Sequence, residues 1–116
     1  MLIAACLIEL SLPESDSIKD KRRVVRAVKD RLRHRFNVSA AEVDDQDDRH
    51  SVCIGCVMVG IDPRHLRAQM EKAVEYVEGL GLAEVVSDDI EVLRIDQIEE
   101  VEDPGDDGIA DPWGEE

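Results

Sequence analysis

The chain predicts an α+β domain of the ferredoxin-like, split βαβ type: a four-stranded antiparallel sheet with two helices on one face. Three observations carry this. Apolar runs with strand character and segments of helical periodicity alternate in the order strand, helix, strand, strand, helix, strand. Each helical segment opens on a side-chain cap, and polar or glycine-containing breaks separate the six elements.

The first strand is expected from about Leu2 to Leu12, ending at Pro13. Both its side-chain rows, Leu2, Ala4, Cys6, Ile8, Leu10, Leu12 and Ile3, Ala5, Leu7, Glu9, are largely apolar, so one face packs on helices and the other is partly exposed or covered by another subunit. The run has no basic leader and is too short to span a membrane, so it reads as a strand and not as an export signal. Ser17 and Asp20 form a Ser-x-x-Asp cap, and Ile18, Val24, Val25, Val28, Leu32 and Phe36 mark the inner face of the first helix. Asn37 leads into a strand over Val38–Val43, followed by a long acidic reversal. The third strand, Ser51–Val59, is apolar on both rows and reads as central. Asp62 and Pro63 start the second helix, with Leu66, Met70, Ala73, Val74, Val77 and Leu80 inward and Gly79 and Gly81 at its end. The last strand runs from Ala83 to Ile95, with an interruption expected near Ser87-Asp88-Asp89. Residues 1–98 thus form one domain, and 99–116, with nine acidic and no basic residues, read as a disordered tail.

Charge is the strongest functional signal. The chain carries a net charge of -14, yet Ser17–Arg35 holds nine of its fourteen Lys and Arg residues against only Asp20 and Asp30. Lys19, Arg22, Arg26, Lys29 and Arg33, flanked by Arg23, follow one another at spacings of three and four and so form one positive stripe along the helix. Regularly placed cations can follow a phosphate backbone without reading bases, which makes these six residues candidates for contact with structured RNA or a ribosomal particle. Without the tail the domain is near -5, so the total charge understates the local field. Phe36, Tyr76 and Trp113 are the only aromatics, and none lies on a strand, which counts against base stacking on the sheet. The helix also lacks the exposed Trp or Leu anchors of a membrane-surface helix.

Other constellations read as structural. Cys53 and Cys56 have redox or zinc spacing, but residues three apart on a strand point to opposite faces; with Cys6 they read as buried thiols of a reducing cytoplasm. Glu42, Asp44, Asp45, Asp47, Asp48 and His50 gather oxygen ligands, yet a calcium loop starting at Asp45 would lack its glycine and would place Cys56 at the twelfth position. A solvated acidic loop is the expectation, with no metal and no cofactor. Glu42 is expected to pair with Arg35 or with the stripe. His34, His50 and His65 fall in different elements, with no triad and no phosphate loop, so a non-enzymatic protein is predicted.

The run Ser17-Ile-Lys-Asp-Lys-Arg-Arg-Val-Val-Arg26, then Arg31-Leu-Arg33 and Phe36-Asn-Val-Ser-Ala-Ala-Glu-Val43, resembles the YlxP-like family of small bacterial proteins of unknown function over residues 1 to 96. The resemblance implies a ferredoxin-like domain in the bacterial cytoplasm, and members are often encoded beside translation initiation and ribosome-maturation factors. This chain departs from the pattern after Asp47, where relatives tend to carry an aromatic and it has Asp48, Arg49 and His50, and in its acidic tail. The alternative is a protein-interaction module without nucleic-acid binding. On either reading a homodimer is expected, through a sheet edge or the second face of the sheet.

Overall fold

A computed structural model describes residues 1–44 and 48–102; the acidic tail from 103 onward and residues 45–47 lie outside the described residues. The elements are β1 (Leu2–Ser11), α1 (Ile18–Arg35), β2 (Ser39–Asp44), β3 (Ser51–Gly60), α2 (Pro63–Leu80) and β4 (Glu84–Arg94), followed by a short 3₁₀ turn, Ile95–Gln97. The strands form one antiparallel sheet in the order β2-β3-β1-β4, the ferredoxin-like arrangement that the sequence predicts. β1 and β3 are central, and β2 and β4 are the edges.

Alternation sorts the central strands onto two faces. Ala4, Cys6, Ile8 and Leu10 of β1 and Val52, Ile54, Cys56 and Met58 of β3 are buried beneath the helices. Val25, Val28 and Leu32 of α1 and Leu66, Met70, Ala73, Val74 and Val77 of α2 close the other side of this core. α2 lies over β4, β1 and β3, while α1 sits toward β2. Among the described residues, the opposite face carries no helix.

The caps act as the residue types predict. Ser17 Oγ accepts the Asp20 N–H at 3.2 Å. The return contact reaches one residue further than a simple capping box, because the Asp20 carboxylate accepts the Asp16 N–H. Asp62 accepts from the N–H groups of Arg64 and His65, ahead of Pro63 at the first turn. Of the two glycines at this end, Gly81 is left-handed, at φ 70°, and terminates α2, whereas Gly79 lies inside the helix. β4 is continuous where an interruption was expected. The irregularity is a bulge: Glu9 pairs with Ser87 and Leu10 with Val85, leaving Val86 as the extra residue.

Candidate nucleic-acid interface

α1 positions the basic stripe by burying its other side. Lys19, Arg22, Arg23 and Arg26 are exposed, Lys29 is half-buried and Arg33 is exposed. From Lys19 to Arg33 the row is about 21 Å long at 1.5 Å per residue. Among the described residues, no carboxylate lies within ion-pair distance of Lys19, Arg22, Arg26 or Lys29. Arg23 pairs with Asp20 at 3.6 Å, and Arg33 with Asp30 at 3.7 Å. Both are exposed i,i+3 pairs and hold little energy. Arg33 has a second attachment, because its guanidinium donates to the Ala40 carbonyl in edge strand β2. The six candidates therefore share one helix face but differ in freedom: Arg33 is committed to the fold, whereas Lys19, Arg22 and Arg26 project from it.

Two cations of the basic island do not belong to that face as its composition suggests. Lys21 is 1% exposed and lies inside the protein. Its ammonium is 3.3 Å from Glu42 Oε2 and donates to the Asp48 carbonyl at 2.6 Å, joining α1 to β2 and to the far side of the acidic reversal. Glu42 thus pairs with Lys21, and not with Arg35 or a stripe residue, because alternation turns Glu42 toward the helices with Ala40. Arg35 instead stands 5.1 Å above the Tyr76 ring, which also meets Phe36 in a T-shaped contact. The sequence held a signal for Lys21. Ile18, Lys21, Val25, Val28 and Leu32 follow the 3-4-3-4 spacing of a buried seam, and a lysine inside such a seam needs an acidic partner.

The acidic reversal is organised as a turn at its second end. The Asp48 carboxylate accepts the His50 N–H at 2.8 Å and the Ser51 hydroxyl at 2.9 Å. These bonds, the His50 N–H first, hold its pKa below the ordinary carboxylate value. Asp45 and Asp47 lie outside the described residues, and among those described no group of three His, Cys, Asp or Glu side chains is placed to hold a metal.

Cys53 and Cys56 point to opposite faces, as strand geometry requires. Cys56 is instead the cross-strand neighbour of Cys6, a juxtaposition that only the strand register reveals. Burial pushes the Cys6 thiol up to about 11 and the Cys56 thiol up to about 12, so both stay protonated and unreactive at neutral pH.

Comparison with known proteins places this geometry in a family. Residues 3–90 match the model described as "Protein of unknown function (DUF503)". The chain belongs to that family. It is also known as the YlxP-like small bacterial proteins, in agreement with the resemblance carried by the basic helix. A search of curated proteins found no match. The DUF503 match spans all six elements up to the middle of β4, so the basic helix and its buried Lys21 lie within the shared domain. No helix among the described residues is long and apolar enough to cross a membrane.

Proposed function

We propose that this DUF503 protein is a non-enzymatic accessory protein of the bacterial cytoplasm whose first helix contacts the phosphate backbone of structured RNA, free or within a ribosomal particle. The observation that supports this reading is the set of Lys19, Arg22 and Arg26 on one outward helix face, with no ion-pair partner among the described residues. The opposite face of α1 packs the core, so folding accounts for the apolar residues and Lys21 but asks nothing of these three cations. Contacts to phosphate need no aromatic platform and no enclosed pocket, and the exposed stripe offers neither. Arg23 and Lys29 flank the contact, and Arg33 extends it while anchoring β2.

The test is salt-dependent co-sedimentation with ribosomal subunits and binding to an RNA hairpin. The full chain is compared with a variant carrying Lys19→Glu, Arg22→Glu and Arg26→Glu. Arg33 is left intact because its reversal would also disturb β2. The intact protein should bind with log affinity falling against log salt at a slope of roughly −2 to −3 for three phosphate contacts, and the variant should lose binding. No binding by the intact protein, or equal binding by the variant, defeats the proposal.

A further inference from the structure

The face of the sheet turned away from both helices carries a second, independent signal. Leu7, Val57, Val59 and Val43 are 48%, 41%, 56% and 53% exposed, side by side on three adjacent strands. Between them Gly55 leaves a shallow hollow of about 400 Å³, lined among others by Ala5, Leu7, Ala41, Val43 and Val57. Val43, the extra residue of a bulge in β2, leans over Gly55 so closely that a Cβ there would meet its Cγ1 at 2.9 Å. A side chain at 55 would therefore have to displace Val43, and its absence leaves the hollow.

We infer that two copies of this chain pair through these faces, with a two-fold axis running parallel to the strands above the seam between β1 and β3. The register supplies the argument. Across the seam Leu7 lies beside Gly55, Ala5 beside Val57 and Ile3 beside Val59. A two-fold along the seam exchanges the two strands. Leu7 of the second copy then stands over Gly55, and Val57 of the second copy stands over Ala5, so that at these two levels a large side chain meets a small one. The usual rotation of about 30° between packed sheets leaves these central pairings in place.

Charge selects the same axis. Asp89 and Glu91 of β4 lie level with Leu7 and Ala5 on this face, where β2 presents Ala41 and Ser39; Asp44 of β2 lies one step further on, level with Glu9 and Ser87. The axis along the strands brings β4 over β2 of the second copy. Asp89 then falls over Ala41, and Glu91 over Ser39, whose hydroxyl can donate to it. An axis across the strands would instead set β4 against β4, bringing the Asp89 and Glu91 region of one copy against the same acidic region of the other. The area is also adequate. Three strands of ten or eleven residues and the six of β2, at about 3.3 Å rise and about 4.8 Å spacing, give roughly 600 Å² per copy, so that the pair reaches the lower end of stable interfaces. The assembly is a four-layer sandwich with its helices outermost, and it exposes one basic stripe on each side.

The test is sedimentation velocity of the full chain across micromolar concentrations, with far-UV circular dichroism to confirm folding. Wild type should sediment as a reversible dimer, and Leu7→Glu should weaken association at least about tenfold by burying an unpaired charge. Val59→Glu serves in place of Leu7→Glu if the latter fails to fold. Ser39→Lys should tighten the dimer about threefold by pairing with Glu91 of the second copy, and Ser39→Asp should loosen it. Ala68→Glu, at an exposed position of α2 on the other side of the sheet, should change nothing. A wild type that stays monomeric, or a dimer indifferent to Leu7→Glu or its substitute, overturns the inference. Loosening by Ser39→Lys overturns the axis, since that result requires β2 to face β2.

Discussion

Helices α1 and α2 are each 18 residues long, start on a side-chain cap and cover the same face of one sheet, yet they differ in what they bury and in what they display. α2 buries only Leu66, Met70, Ala73, Val74 and Val77, and outward it mixes Arg64, Arg67 and Lys72 with Glu71, Glu75 and Glu78. α1 buries a lysine among its valines and leucine, and outward it displays cations interrupted by one acidic residue, Asp30, between its first and last turns. The shared packing role fixes one face of each helix, while the solvent face remains open to other demands. α2 shows the near-neutral mixture that solubility alone requires, and the segregated charge of α1 therefore calls for a cause outside the fold.

The largest effects should be those in which the two helices agree. Leu32→Ala in α1 and Met70→Ala in α2 each remove a fully buried side chain and should cost about 2–5 kcal/mol in urea unfolding. Near-equal losses would confirm that both helices carry the core. A loss confined to α2 would show that α1 is held mainly by its polar contacts.

Lys21 separates the helices at the next level. Lys21→Ala removes the ammonium and leaves Glu42 in a half-closed site, with an expected loss of about 2–3 kcal/mol, the lower figure reflecting the water that still reaches Glu42. Lys21→Met combined with Glu42→Leu should recover most of that loss, because the pair then leaves no charge without a partner. A double-mutant cycle measures the coupling. If the double variant is as unstable as the single one, the Asp48 carbonyl, and not Glu42, is the contact that matters. Below these come the caps: Ser17→Ala and Asp62→Ala should each cost about 1 kcal/mol, with Asp62 the larger because it accepts two N–H groups.

These comparisons also show why some of the molecule was legible in the sequence and some was not. The six elements, both N-caps and the central place of β3 follow from local signals, namely periodicity, capping residues and apolar runs. The stripe was equally local, since spacings of three and four put residues on one face wherever the helix packs. The identity of the Lys21 partners, the Arg33 bond to Ala40, the Arg35–Tyr76 contact and the Cys6–Cys56 neighbourhood each depend on which element lies beside which. They appear only once strand order and register are set. The same holds for the hollow at Gly55, which requires knowing that Val43 is a bulge residue and that Leu7 is its neighbour across the seam.

The smallest expected effect on stability is also the most informative about function. Arg22→Gln with Arg26→Gln removes two exposed cations that sit four apart and three residues from Lys19, Arg23 and Lys29, so it relieves like-charge repulsion within α1. Stability should stay level or rise by a few tenths of a kcal/mol. RNA affinity at low salt should fall in the same variant, and the slope of log affinity against log salt should become shallower by about 1.5–2, one phosphate contact per lost cation. The equivalent change on α2, Arg64→Gln with Arg67→Gln, should leave RNA affinity unchanged, and Arg67 also donates to the Ile90 carbonyl, so any stability change there should be a loss. Opposite signs for folding and binding on α1, with no binding effect on α2, would mean that the stripe is kept at a small cost to the helix that bears it. Equal binding losses on both helices would reduce the stripe to general electrostatic attraction, and the difference between the two helices would then carry no functional meaning.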